Sequence, residues 1–165
     1  MLLFVAIFGL EMSEKKAQSG DLVSNRRATF EYEILDTYEV GIVLVGTEIK
    51  SLRSGGGSLQ EAYVMCENGE LWLVNSTIAP YKFGSVYNHE DKRRRKLLAH
   101  KREIDAIETA IQKKGLTALA LSIYLKNGRA KLKIAIARGK KVHDKRASIQ
   151  EREQKREIER QMKRS

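Results

Sequence analysis

Between Asn25 and Gly139 apolar side chains recur mostly at every second position, the period of strands with one face buried. Phe30, Tyr32 and Ile34 alternate with Glu31 and Glu33, and Ile42 to Val45 forms a short continuous apolar run. Two hairpins are nearly explicit. Asn68-Gly69 separates Tyr63-Val64-Met65-Cys66-Glu67 from Glu70-Leu71-Trp72-Leu73-Val74, and Asn127-Gly128 separates two further alternating runs. Asn-Gly tolerates the positive φ that a two-residue hairpin turn requires. In the second hairpin Leu119, Leu121, Ile123 and Leu125 are expected to share a face, answered by Leu132, Ile134 and Ile136 on the return strand. The opposite face of that return strand carries Arg129, Lys131 and Lys133, a row of positive charge.

Two stretches change period. Thr47 to Arg53 places Ile49 and Leu52 three apart and runs into Ser54-Gly55-Gly56-Gly57, which predicts a short helical turn plugging one end of a sheet, then a flexible connector. From about Arg93 to Lys114, Leu97, Ile104 and Ile111 recur at sevens and Leu98 and Ile107 widen the stripe, which predicts a longer helix stopped at Gly115. The fold class is therefore mainly β: a small six-stranded antiparallel barrel of the oligonucleotide-binding type, with one short helical turn and one longer inserted helix. Beyond Gly139 the pattern weakens. Val142, Ile149, Ile158 and Met162 are too few to dock a helix on a core, so residues 140–165 are expected to form a basic tail, disordered when free and helical against a surface. Glu151–Lys155 and Glu159–Lys163 would support that helix. Residues 25–139 form the barrel and residues 1–24 an N-terminal extension. Its apolar run Met1 to Leu10 lacks a basic leader and a small-residue cleavage site, and Met12 follows closely, so an over-long start is expected in preference to an export signal.

Charge narrows the partner. Lys plus Arg number 31 against 21 Asp plus Glu, a formal net charge of +10, which points to a polyanion: nucleic acid first, an anionic membrane surface second. From Arg138 to Ser165 there are 11 basic and 5 acidic residues, so the tail holds most of the excess. A single cysteine, Cys66, rules out an intramolecular disulfide, and one Cys with three scattered histidines gives no structural zinc set. No cofactor, metal or small-molecule substrate is expected. No nucleophile elbow, phosphate loop or zinc-protease motif is present, so no catalytic residue is assigned. A reducing, cytoplasmic setting fits.

Positive groups cluster at Asn25-Arg26-Arg27, at Lys50 and Arg53, at Lys131 and Lys133, and from Arg138 to Arg146. Lys92-Arg93-Arg94-Arg95-Lys96 would open the longer helix, an unfavourable place for five cations unless phosphate neutralises them. NRRATFEYEI, GTEIKSLRSG, RKLLAHKREI, KLKIAIARGKK and HDKR, in this order, resemble the bacterial small protein B (SmpB) family over roughly Asn25 to Ser165. The resemblance implies an oligonucleotide-binding barrel that holds the tRNA-like part of transfer-messenger RNA and escorts it to the empty A site of stalled ribosomes, where trans-translation tags incomplete proteins. By motif, the RNA-binding residues would be Asn25, Arg26, Arg27, Glu48, Lys50, Ser51, Arg53, Arg95, Lys96, His100 and Lys101, with Lys131, Lys133 and Arg138 extending the face. Glu48 would hold Lys50 or Arg53 in place, or accept from a base or 2′-hydroxyl. Lys140, Lys141, His143, Asp144, Lys145 and Arg146 resemble the family's tail element in the decoding centre and mRNA path.

Phe30 stands where the family usually has His, Ala99 where it has Leu, and Ala135 where it has Gly. Two other readings compete: a general RNA-binding or ribosomal protein on the same barrel, and a basic peripheral membrane protein anchored by Met1 to Leu10. The first has no use for GKKVHDKR at a fixed distance after the last strand, and the second loses if synthesis starts at Met12.

Overall fold

The structure is a computed structural model that describes residues 20–163; Met1 to Leu10 and Met12 lie outside them. In chain order it contains β1 (Val23–Ser24), α1 (Arg26–Glu31), β2 (Tyr32–Ile42), α2 (Gly46–Arg53), β3 (Gly57–Ser58), β4 (Tyr63–Glu67), β5 (Glu70–Val74) and β6 (Thr77–Ile78). β7 (Arg95–Leu98), α3 (Lys101–Gln112), β8 (Leu116–Lys126), β9 (Arg129–Gly139) and α4 (Val142–Met162) follow.

Six strands close on themselves in the order β8-β4-β5-β7-β2-β9, and β9 returns to pair with β8. Every pairing in this ring is antiparallel, though β7 meets β2 only at Gly41 and Ile42 and β4 meets β8 only at Tyr63–Leu119. β1 adds to β8, and β3 with β6 forms a separate two-stranded piece. Both Asn-Gly hairpins are present: Asn68 and Gly69 have φ of 52° and 71°, Asn127 and Gly128 of 50° and 73°. The strands of the first hairpin pair without a break from Tyr63–Val74 to Glu67–Glu70. The barrel interior is filled by Val40, Leu71, Leu73, Leu97, Ile123, Leu132, Ile134 and Ile136, with Leu52 of α2 and Ile107 of α3 closing it.

Four expectations about the barrel change. First, Phe30 does not belong to a strand: Arg26–Glu31 is a helical turn capped by Asn25, and the strand begins at Tyr32. Second, Leu119, Leu121, Ile123 and Leu125 do not share a face. The β8–β9 register shifts between Ala120 and Ser122, so Leu121 is an extra residue that flips the alternation. Ala118, Ala120 and Ile123 fill the barrel, while Leu119 and Leu121 pack outside it with Ala28 and Ala137 beneath α1. Third, Arg93 to Ala99 is not helix. Arg95–Leu98 is β7, hydrogen-bonded between β5 and β2, and the helix starts only at Lys101. Its start is marked by the His100 N–H donating to the Glu103 carboxylate at 2.8 Å. Nor is Gly55 to Gly57 a loose connector, because Gly56 donates to Ser51 C=O at 2.9 Å and accepts from Ala79 N–H at 2.7 Å.

In the tail, Val142–Met162 is one helix of 21 residues. Nucleation, the costly step in an isolated helix, is eased where the chain leaves the barrel. Lys140 donates from its backbone to Glu31 C=O at 3.0 Å and from Nζ to Thr29 C=O at 3.3 Å. About three turns into the helix the Arg152 guanidinium lies 5.3 Å from the centroid of the Phe30 ring. Among the described side chains of this helix, Arg160 pairs with Glu157 at 3.9 Å.

Candidate nucleic-acid interface

Lys92 to Lys96 is the densest basic run in the sequence, and the structure buries Arg95 and half-buries Arg93 and Lys96 while Lys92 and Arg94 stay exposed. Arg95 is 0 % exposed, and so is Glu48 of α2. The Glu48 carboxylate takes four hydrogen bonds. Oε1 accepts from Arg93 Nε at 2.8 Å and Arg95 Nε at 2.9 Å, and Oε2 accepts from an Arg93 terminal nitrogen at 2.5 Å and Val45 N–H at 2.9 Å. Arg95 spends its remaining donors on Ser76 C=O and Oγ, Arg93 C=O and Asp91 C=O, between 2.8 and 3.0 Å. Burial pushes the Glu48 carboxyl up, but the Arg93 and Val45 donors and the charges of Arg95 and Arg93 outweigh it and hold it below the ordinary carboxylate value. Burial likewise lowers the Arg95 guanidinium, which stays protonated beside Glu48. Arg94 pairs with Glu67 and lies over the Trp72 ring at 5.2 Å, and Lys96 pairs with Glu70. Glu48 and Arg95, expected to touch RNA, are therefore a buried clamp joining α2 to β7, and Glu48 steadies Arg93 and Arg95 where Lys50 or Arg53 was expected.

Two more expected contacts point inward. Asn25 is buried, its Nδ2 donating to Leu59 C=O at 2.8 Å and Ala120 C=O at 3.3 Å while Oδ1 caps α1 by accepting from Ala28 N–H at 3.1 Å. Ser51 is also buried and donates to Ala79 C=O at 2.6 Å.

What remains outside falls at two ends of the barrel. The register fixes this: Tyr32 opposes Gly139 at the start of β2, and Gly41 opposes Lys131 near its end. At the first end stand Arg26, Arg27, Arg138 and the exit of the tail; Arg27 pairs with Glu31 at 2.7 Å. At the second stand α2 with Lys50 and Arg53 exposed and the β8–β9 turn, with Lys131 half-buried and Lys133 exposed a little way along β9. His100 and Lys101 are exposed at the start of α3, just after the strand that pairs with the end of β2; Lys101 meets Asp105 at 3.2 Å. Of the tail residues, Lys140 is half-buried and Lys141 and Arg146 are exposed; the side chains of His143, Asp144 and Lys145 lie outside the described ones.

Sequence reasoning missed the loop between β6 and β7, where Phe83, Val86 and Tyr87 stand in solvent beside α2. The signal was its aromatic content without alternation. Among the described residues no group of His, Cys, Asp or Glu is placed to hold a metal, and no helix is long and apolar enough to cross a membrane.

Comparison with known proteins gives one answer. The family model described as SmpB protein matches residues 22–164, barrel and tail helix together. The SsrA-binding protein of Protochlamydia amoebophila is 57 % identical over 148 residues, 90 % of this chain and 97 % of the relative. That of Chlamydia caviae is 53 % identical over 146 residues, 88 % and 97 % of the two chains. A solved structure described as "tmRNA-SmpB: a journey to the center of the bacterial ribosome" aligns with a TM-score of 0.63 at 48 % identity, covering 73 % of this chain and 85 % of the other. A closed six-stranded barrel with a basic helical tail, matched by the family model over residues 22–164 and by relatives 53–57 % identical over 88–90 % of the chain, admits one assignment: the chain belongs to the SmpB protein family.

Proposed function

We propose that this protein binds the tRNA-like part of transfer-messenger RNA and delivers it to the empty A site of stalled ribosomes, working in the cytoplasm by binding and not by catalysis. The observation that carries this is the reach of the family match: it includes the tail helix as well as the barrel, and a plain RNA-binding barrel needs no such tail. Lys50 and Arg53 on α2, with His100, Lys101, Lys131 and Lys133, form the face for transfer-messenger RNA. Phosphate contacts there fix position and supply most of the salt-dependent affinity. Arg26, Arg27 and Arg138 lie near the tail exit and bridge the two partners. Lys140, Lys141, Lys145 and Arg146 neutralise ribosomal RNA phosphate in the decoding centre and His143 stacks on a base there, in the tail element that also holds Asp144.

The test is a reconstituted translation reaction on a message without a stop codon, supplied with transfer-messenger RNA. Addition of this chain should release the stalled ribosomes and append the tag peptide. Sequencing of RNA that co-purifies with the chain should recover transfer-messenger RNA above bulk ribosomal RNA. Co-purification of mixed RNA with no tagging would replace this reading by that of a general RNA-binding protein.

A further inference from the structure

Phe83, Val86 and Tyr87 are 80 %, 98 % and 91 % exposed, three large apolar side chains within five residues held in water. The loop that carries them is nonetheless built. Asn88 Nδ2 donates to Tyr81 C=O at 2.9 Å, and its Oδ1 accepts from Tyr81 N–H at 3.1 Å and His89 N–H at 3.2 Å, closing the loop on itself. Gly84 N–H also donates to Tyr81 C=O at 2.8 Å, and a Cβ on Gly84 would fall 2.6 Å from Asn88 Nδ2, so the loop closes only with glycine there. The His89 ring ties the loop to the barrel, Nδ1 at 2.9 Å from Thr47 Oγ1 of α2 and Nε2 at 3.0 Å from Ile78 C=O. The Tyr81 and Phe83 rings meet edge to face with centroids 5.7 Å apart. Polar bonds thus fix the loop's base and leave its apolar tips unused by the fold. An apolar surface presented this way marks a binding site.

The surroundings say what it binds. Lys50 Nζ lies 5.6 Å from the Tyr81 ring centroid, so the cation of α2 and the aromatic faces of the loop are contiguous. Between the start of α2 and the loop is an open cleft of about 590 Å³, with Tyr87 on one side, Lys50 and Arg93 among its lining, and Thr47, Asn88 and His89 between them. An aromatic face beside a cation, in a cleft large enough for a nucleotide, suits a base that stacks and a phosphate that is neutralised.

We propose that this cleft takes an unpaired nucleotide of transfer-messenger RNA, its base stacked on Tyr87, its phosphate at Lys50, with Phe83 and Val86 extending the apolar surface under a neighbouring base. The proposal rests on the reading that the chain binds this RNA, and adds to the charged face a contact that is not electrostatic. RNA fits better than a protein partner because Lys50 and Lys82 flank the rings and α2 presents Arg53 alongside.

The experiment titrates the full chain against transcribed transfer-messenger RNA at several salt concentrations. F83A/Y87A changes only exposed side chains, and a thermal melt alongside the titration confirms an unchanged fold. Its affinity should fall about tenfold at every salt, because stacking is sequence-tolerant and releases no counterions, so the slope of log affinity against log salt stays as in wild type. Y87F keeps a ring and should bind as wild type. Chemical probing should show unpaired nucleotides shielded by wild type and reactive with F83A/Y87A. Wild-type affinity and wild-type protection with F83A/Y87A overturn the proposal; if tagging on stalled ribosomes is then lost, the loop serves a ribosomal partner instead. A wild-type chain that does not bind the RNA at all sinks the function proposed above, and that is read from the wild-type titration before any variant is compared.

Discussion

Replacing Glu48 by Gln separates a buried clamp from an RNA contact. Gln keeps the volume of the side chain, so no cavity opens, but one carboxylate oxygen becomes an NH₂ group. Whichever oxygen is replaced, two of the four hydrogen bonds into Glu48 become donor facing donor: both from arginines at Oε1, one from an arginine and one from Val45 N–H at Oε2. Each lost bond to a charged group costs about 1.5–3 kcal/mol, and a buried guanidinium stripped of its partner costs about 3–5 kcal/mol; the two routes agree. For a chain of this size that lowers the melting temperature by about 10–15 °C. Thermal unfolding by circular dichroism and a urea titration at pH 7 read it. The acid limb gives a second check. The Glu48 carboxyl is held below its unfolded value near 4.3, so its contribution is complete above that value and is lost as pH falls through the lower folded value. E48Q should be less stable than wild type at neutral pH and should lose less on further acidification. A melting temperature within about 3 °C of wild type, less than about 1 kcal/mol, together with weakened RNA binding would return Glu48 to the interface and refute the clamp.

Other outcomes follow from the same geometry. K50A/R53A should weaken transfer-messenger RNA binding and flatten its salt slope by about two phosphate contacts, measured by titration at 50 to 200 mM salt, roughly; an unchanged slope removes α2 from the face. A chain ending at Gly139 should keep its melting temperature and its RNA affinity yet fail to add the tag, and full tagging by that chain would make the tail a mere appendage. The circular dichroism difference between full and truncated chains reads how much of α4 is helical without RNA, and a difference that grows on adding ribosomes supports ordering on the surface. Tyr124 is raised by burial and by donating to Glu39, so the stability it adds is complete below its unfolded value near 10 and is lost only as pH rises through a still higher folded value; Y124F should abolish that alkaline dependence in a pH series of melts.

How much of this was legible in the sequence depended on whether the signal was local. The Asn68-Gly69 and Asn127-Gly128 turns are local, since only such residues take both positive φ angles, and they were read correctly. Leu97, Ile104 and Ile111 at sevens misled because Leu97 serves a strand and the other two a helix, and a heptad cannot report a chain reversal between them. The bulge at Leu121 leaves no mark on composition; it shows only in the pairing with β9. The site was harder still. Lys50 and Arg53 were read as exposed cations and are so, but Arg95 looks the same in sequence, and what distinguishes it is Glu48, 47 positions away, which only the closed barrel brings near.

β2 runs for 11 residues without interruption beyond a single shift near Ile34 and Asp36, and it is flanked by β9 almost throughout. At about 3.4 Å per residue such a strand is a strut some 34 Å long at most, stiffened by a hydrogen-bonded neighbour along most of its length. Because α2 hangs from one end and the tail from the other, the barrel acts as a ruler that sets the spacing between them. Lengthening β2 and β9 by two residues each would keep every side chain on its face and move the tail outward by about 7 Å. Such a chain would grip either partner alone as before and fail only when it had to hold both at once.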